Sequence, residues 1–200
     1  MANVSRPAGL TPVEYLNGSP WNGQARRYCI LSTDTNAYAI GDPVVLSGTA
    51  DANGIATVTL ATAGTGNPVT GAIVSMGGPD YGGPSADPTN LNTTIIPATK
   101  TRNYYVLVAD DPSIVFEVEE NNAGAPLTAA AVGSNVNLAS GANNGYVSGW
   151  KIASNSSGTG ATLQCQLLGL AQRADNAIGA SAKWLVRINN HSYRAGVAGV

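Results

Sequence analysis

Residues 104–121 read YYVLVADDPSIVFEVEEN, a stretch in which two apolar runs flank a short polar segment. Valine, isoleucine and aromatic residues dominate both runs, which is typical of β-strands. Asp110, Asp111 and Pro112 have the chemistry of a turn, with aspartate suited to its first position and proline to its second. The stretch therefore predicts a β-hairpin, in which the strands YYVLVA and IVFEVEE are joined by the turn DDPS.

The same stretch contains five of the twelve acidic residues of the chain. Side chains along a strand alternate between its two faces. Glu117 and Glu119 therefore lie on one face and Ile114, Phe116 and Val118 on the other, and we expect the face with the two glutamates to be exposed. The two carboxylates are then about 7 Å apart, at a rise of about 3.3 Å per residue. This spacing overlaps that of inverting glycosidases, but neighbouring acids on one exposed strand are more typical of a solvated face. The stretch also lacks the D-x-D-x-D-G loop that is typical of a Ca²⁺ site. We therefore expect no catalytic residue, metal or cofactor here.

Short β-type runs separated by Gly, Pro, Asn and Asp turns follow one another along residues 24–200. Their spacing of roughly ten residues is typical of sandwiches and barrels. Only residues 125–132 could form one or two helical turns, and the Gly/Pro-rich residues 77–90 predict a long loop. The predicted fold class is all-β, a β-sandwich or barrel with long loops.

Residues 1–23 show neither a helical nor an alternating period, and three prolines exclude them from the interior of a sheet. Leu10, Tyr15 and Trp21 nevertheless make this segment too apolar for a solvated tail. We therefore expect an extended N-terminal arm over residues 1–23 and a single β-sandwich domain over residues 24–200. The arm can lie along its own domain or along another subunit.

The composition is poor in charge, because charged residues make up 11% of the chain against roughly 25% in an average globular domain. A surface of Ser, Thr, Asn, Gly and Ala suits packing against neighbours. The net charge of −2 gives no basic footprint for nucleic acid. No apolar run approaches the length of a membrane span, and no apolar signal segment is evident at the start. We expect neither nucleic acid nor membrane as a partner, and a cytoplasmic site of synthesis.

The remaining reactive side chains do not form a recognisable site. Cys29 and Cys165 lie in apolar strand-like runs, which favours buried free thiols over a disulfide. His191 is the only histidine, so a multi-histidine metal site is excluded, and we expect this residue at the surface or at an interface. The three tryptophans favour core and interface anchors over a sugar-stacking platform.

Charge is distributed unevenly along the chain. Residues 103–120 carry five acids and no base, whereas residues 121–200 carry five bases and one acid. Opposite charges attract at short range. We therefore expect the acidic stretch to meet the basic C-terminal third, either within the chain or between copies of it.

Four stretches of the chain resemble head decoration, or cement, proteins of tailed bacteriophages. They are RPAGLTPVEYLNGSPWNGQARRYCI, AIGDPVVLSG, YVLVADDPSIVFEVEE and LQCQLLGLAQRADNAIGASAKWLVRINNH. The resemblance implies a jelly-roll-like β-sandwich and a structural virion protein without enzymatic activity or cofactor. Such a protein is assembled in the host cytoplasm, binds the capsid exterior and cements neighbouring major capsid subunits as a dimer or trimer.

The resemblance also implies interface residues. Leu10, Tyr15 and Trp21 would anchor the arm on a neighbouring subunit, while Arg26 and Arg27 would bind capsid carboxylates or carbonyls. Packing of the arm on its own domain remains the alternative.

The basic residues near the C-terminus provide a second implied contact, in which Lys183, Arg187 and Arg194 meet Glu117 and Glu119 of another copy.

Two other functions remain open. One is a different virion part, such as a tail tube or head-fibre base. The other is a glycan-binding β-sandwich that uses Trp150 or the loop at residues 77–90.

Overall fold

The computed structural model describes residues 3–79 and 94–200. Within them the fold is all-β, as predicted, with two single-turn 3₁₀ helices at Ala129–Ala131 and Ser154–Ser156. The strands are β1 (Thr11–Tyr15), β2 (Arg26–Ile30), β3 (Tyr38–Ala39), β4 (Pro43–Ala50), β5 (Ala56–Leu60), β6 (Gly71–Pro79), β7 (Ile95–Ile96), β8 (Tyr104–Ala109), β9 (Ile114–Glu119), β10 (Asn135–Val136), β11 (Leu138–Ala139), β12 (Lys151–Ile152), β13 (Cys165–Leu170) and β14 (Lys183–Ile188). The first three residues of the predicted loop at 77–90 thus continue β6, and residues 80–90 of it lie outside the described residues.

Five strands close into a small barrel in the order β2-β5-β4-β6-β8. Strand β2 pairs antiparallel with β8 and meets β5 in a parallel bridge, and this bridge closes the barrel. Side chains fill the interior of so narrow a barrel. The largest buried ones are Tyr28, Ile30, Tyr38, Ile73 and Ile96.

Five other strands form an antiparallel sheet in the order β1-β9-β14-β13-β10. Its central strands contribute Phe116 and Trp184 to a buried cluster that also contains Ala72 and Ala109 of the barrel. The sheet therefore packs against the barrel, and the main core lies between the two layers. Two short pairs, β3 with β7 and β11 with β12, complete the described architecture.

The predicted hairpin at residues 104–121 is wrong, although both of its strands exist. Strand β8 pairs with β2 and β6 in the barrel, whereas β9 pairs with β1 and β14 in the sheet. The turn forms, with the Ile114 amide donating to the Asp111 carbonyl at 3.0 Å, but it directs the chain from one layer to the other. Each strand has partners along both edges, so neither has an edge free for the other.

The N-terminal segment joins the sheet instead of remaining outside it. Strand β1 pairs with β9 at the sheet edge, and a bulge lies between Pro12 and Glu14. Proline is tolerated at an edge or a bulge, so the position of β1 at the sheet edge agrees with the exclusion of these residues from the interior of a sheet. Residues 19–21 fold back over the outer side of β1, where the Trp21 amide donates to the Val13 carbonyl at 3.0 Å.

The predicted arm anchors lie on their own domain. Leu10 is fully buried in the main core, and Tyr15 and Trp21 pack against the same cluster. The Leu10 amide donates to the Gly41 carbonyl at 2.9 Å, and at this crossing Gly9 and Gly41 both have positive φ and lack room for a Cβ atom. The two glycines allow the backbones to approach closely. Of the two placements left open for the arm, the chain adopts packing on its own domain.

Leu10→Ala tests this placement. We expect the substitution to lower the free energy of unfolding by about 2–5 kcal/mol, because it removes a fully buried leucine side chain. Leu16→Ala is the matched control, since Leu16 is 46% exposed and its truncation should cost less than about 0.5 kcal/mol. Urea unfolding of the isolated protein measures both. Equal stability of the two variants would contradict the packing of the arm on this domain.

Candidate functional site

Glu119 is buried beneath the N-terminal segment. Its Oε1 accepts hydrogen bonds from Lys151 Nζ at 2.8 Å and from Ser5 Oγ at 2.7 Å, and its Oε2 accepts one from the Arg6 amide at 2.7 Å. The prediction of an exposed face is therefore wrong at this position. Residues 3–6 cover the side of β9 that alternation alone assigned to solvent, and the buried carboxylate is compensated by a cation and two donors.

Glu117 has a separate basic partner. Arg173 Nη1 donates to both of its carboxylate oxygens, at 2.9 and 3.2 Å, while Arg173 Nε lies 3.3 Å from Asp175. Glu117 is half-buried by this contact rather than solvated. Glu117 and Glu119 are thus each engaged in a separate ion pair.

Glu120, the next residue, is fully buried. Its Oε2 accepts hydrogen bonds from the Leu127 amide at 3.0 Å and Trp184 Nε1 at 3.3 Å. Burial raises the pKa of this carboxyl group above its ordinary value, and the two hydrogen bonds act in the opposite direction. This side chain connects the end of β9 to the loop that follows and to the central tryptophan of the sheet.

Asp110 joins three parts of the chain at the crossing turn. Tyr28 Oη donates to Asp110 Oδ2 at 2.6 Å and lies 2.8 Å from Tyr193 Oη. Burial, strengthened by Asp110, raises the pKa of Tyr28 well above its ordinary value. Arg26 Nε lies 3.4 Å from Asp110 Oδ2, and the Arg26 guanidinium stands 5.7 Å from the centre of the Tyr193 ring. Arg26, predicted to bind a capsid, is thus part of an internal network, although its side chain is 65% exposed.

The predicted basic contact residues are dispersed. Arg187 is buried, its Nε donates to Gln166 Oε1 at 2.8 Å, and burial followed by nearby Arg194 lowers its pKa. Lys183 is half-buried and lies opposite Glu119 in the strand register, while Arg194 is exposed. Arg27 is exposed on β2.

The acidic stretch does meet the basic third within the chain. Among the described residues of the C-terminal third, Lys151 and Arg173 form ion pairs with it. The contact of Lys183, Arg187 and Arg194 with another copy stays a prediction.

Both cysteines are buried free thiols, as predicted. Burial raises the pKa of Cys29 to about 11 and that of Cys165 to about 12, so the nucleophilic thiolate is scarce at neutral pH. His191, which was expected at the surface or at an interface, is buried within the chain. Its Nδ1 accepts a hydrogen bond from the Tyr193 amide at 3.0 Å, and its Nε2 has no partner among the described residues.

Metal binding, sugar stacking and membrane insertion were examined in the part of the chain that the structure describes. There, no group of three or more His, Cys, Asp or Glu residues is placed to hold a metal ion. Trp150 is only 3% exposed and Trp184 fully buried, so neither offers the sugar-stacking face that was considered for Trp150. Across residues 3–79 and 94–200, no helix has the length and apolar character needed to cross a membrane.

Sequence reasoning missed one surface feature, an open polar cleft beside the crossing turn. Its volume is about 480 Å³, and it is lined by Tyr15, Gln24, Ala25, Arg26, Asp110, Asp111, Pro112 and Tyr193. These residues come from four separate segments of the chain, and only the DDP turn gave a local signal.

No family model, curated protein or solved structure matches the chain. The resemblance to head decoration proteins therefore remains a prediction from the four stretches of sequence.

Removing Lys151 tests the role of the buried ion pair. We expect Lys151→Ala to lower the free energy of unfolding by roughly 2–3 kcal/mol, because it leaves Glu119 buried without its cation. Arg173→Ala is the control at a more exposed pair, where a loss below about 1 kcal/mol is expected. Denaturant unfolding measures both variants. Similar losses for both would show that burial does not distinguish the two pairs.

His191 should make stability depend on pH. Burial lowers its pKa below the ordinary value of 6.5, against an opposing effect of Asp110 and Asp111. As the pH falls below about 6.5, the unfolded chain binds a proton that the folded chain does not, so this residue lowers stability by at most about 1.4 kcal/mol per pH unit. The loss stops growing once the pH is below the folded-state pKa.

The measurement is the free energy of unfolding of the native protein and of His191→Asn at about pH 7.5 and about pH 5.5. We expect the native protein to lose more stability than the variant between these values. Comparison of the two proteins cancels the opposite contribution of Glu120, whose pKa is raised. An identical pH dependence would contradict the role of His191.

Proposed function

We propose that the protein is a structural virion component that decorates the outside of a tailed-phage capsid and cements neighbouring major capsid subunits. The observation that supports this most strongly is a charge-poor surface on which large apolar side chains are exposed. Depletion of charge suits a surface that packs against a partner, and exposed apolar side chains mark such a surface where they are contiguous. The exposed side chains are Val4, Leu16, Ile40, Leu107, Val132, Tyr146, Ile178, Tyr193, Val197 and Val200.

The proposed role is mechanical rather than catalytic. The acids that first suggested chemistry are engaged in structural contacts, since Glu119 binds Lys151, Glu117 binds Arg173 and Glu120 is fully buried. Glu117 and Glu119, whose spacing overlaps that of inverting glycosidases, are each held in a separate ion pair. The proposal accordingly includes no reaction and no cofactor.

Cementing requires a rigid body that contacts two neighbours. The arm is fixed to the sheet by the Ser5–Glu119–Lys151 contacts, and the sheet is packed on the barrel. A contact of on the order of 1,000 Å² with the capsid is enough for a specific interface, and repetition over many capsid sites multiplies its effect. In this proposal the partners are the major capsid protein and further copies of the chain, as a dimer or trimer on the capsid exterior.

One exposed apolar region is suited to the proposed capsid contact. Ile40 and Tyr146 are both exposed, and they lie close together because Ile40 forms a β-bridge with Val147. An apolar cleft beside Ile40 is lined by Leu10, Pro12, Trp21 and Val74, among others. We refer to Ile40 and Tyr146 as the apolar patch.

Quantitative mass spectrometry of purified virions tests the proposal. We expect the chain to be present at a copy number close to that of the major capsid subunit, because a cement protein occupies a site that repeats with the capsid lattice. A known tail-tube subunit from the same particles is the control. A copy number at the control level would favour a tail-tube or head-fibre part instead, and absence of the chain from purified virions would overturn the virion assignment.

A further inference from the structure

The cleft beside the crossing turn has a rigid floor. Tyr28 and Asp110 are buried and joined by a hydrogen bond of 2.6 Å, and Tyr28 in turn lies 2.8 Å from Tyr193 Oη. This network connects β2, the crossing turn and the segment after β14. Groups held in place before a ligand arrives lose little entropy on binding, so the floor is suited to a binding site.

The rim of the cleft presents polar atoms that the fold does not use. Asp111 Oδ1 accepts from Ser113, whereas Asp111 Oδ2 has no protein donor in the described part of the chain. Gln24 Oε1 accepts from Tyr15 Oη at 3.3 Å, and Gln24 Nε2 makes no hydrogen bond to another described residue. The terminal nitrogens of Arg26 also extend from a side chain that is 65% exposed. Among the described residues, Gln24 and Arg26 thus supply hydrogen-bond donors to the cleft, and Asp111 supplies an acceptor.

Aromatic surface lies next to these polar atoms. Tyr193 is 47% exposed and Tyr15 is half-buried, and both line the cleft. An aromatic ring offers a flat apolar face with a polar tip. Together with adjacent donors and acceptors, such a face matches a sugar ring, which presents apolar C–H groups on its faces and hydroxyl groups around its edge.

The charges of the cleft favour a neutral ligand. Arg26 already occupies the position of a cation near the Tyr193 ring and pairs with Asp110, so a cationic ligand would have to displace it. An anionic ligand would meet the carboxylates of Asp110 and Asp111. The volume of about 480 Å³ lies within the range of roughly 300–1,000 Å³ that is usual for small-molecule sites.

We propose that this cleft binds a neutral sugar ring of a glycan, between Tyr193 and the polar rim of Gln24, Arg26 and Asp111. This activity is separate from the proposed capsid contact, because the cleft does not include the apolar patch. A chain fixed on a particle surface would thereby carry a glycan receptor in addition to its structural role.

Titration of the isolated full-length chain with free neutral hexoses and N-acetylhexosamines, followed by NMR chemical shifts of the backbone amides, tests the proposal. We expect at least one sugar of this panel to shift the resonances of residues that line the cleft. Tyr193→Ala should weaken that binding by about tenfold or more, because it removes the exposed ring. Tyr193→Phe keeps the ring and should retain binding within about threefold.

Two further variants keep the test decisive. Tyr146→Ala removes another exposed tyrosine, 67% exposed and away from the cleft, and should leave sugar binding unchanged. If Tyr193→Ala unfolds, the double variant Gln24→Ala/Arg26→Ala takes its place, since both side chains are exposed, and it should weaken binding by a similar factor.

Several outcomes would overturn the proposal. They are a lack of shifts with every sugar, shifts confined to residues outside the cleft, and equal affinity for the native protein and Tyr193→Ala. Binding of putrescine or acetate in place of the sugars would show that the cleft selects charge, which also contradicts it. Because the assay uses the isolated chain, its failure leaves the copy-number test of the capsid role unaffected.

Discussion

The passage of the chain from β8 to β9 through residues 110–113 is the constraint on which the rest of the fold depends. It takes the chain from the barrel directly into the sheet, so the two layers are held against each other by a four-residue connection. Asp110 stabilises this crossing through its hydrogen bond from Tyr28. Because β8 pairs in the barrel and β9 in the sheet, the two strands find their partners elsewhere in the chain, and the N-terminal segment supplies β1 for β9.

The sequence was sufficient to predict the all-β class, the two strands of residues 104–121 and the buried free thiols. These features depend on local composition, because β-branched and aromatic runs between turns specify strands wherever those strands pair. The hairpin was wrong for a physical reason: alternation along a strand tells which residues share a face but not which strand lies beside it. The same limit applies to β1, whose pairing with β9 joins residues about one hundred positions apart.

The candidate site was predictable only in part. The imbalance of charge along the chain correctly indicated that the acids of β9 would meet downstream bases. It could not select Lys151 and Arg173 over Lys183 and Arg187, because that choice depends on which loops cover the outer side of the sheet. The exposure of Glu119 was mispredicted for the same reason, since Ser5 and Arg6 reach it from the other end of the chain. The cleft beside the crossing turn likewise combines four segments that no local pattern connects.

The separation of the two layers along the chain has a consequence for folding during synthesis. All five barrel strands lie between Arg26 and Ala109, so the barrel can close while the sheet strands are still being made. Strand β1 emerges first but must wait for β9, and the sheet is complete only after β14. Until then Leu10 and its neighbours have no core to enter. Contacts of such long sequence separation form slowly, and the nascent chain is most prone to aggregate in this interval.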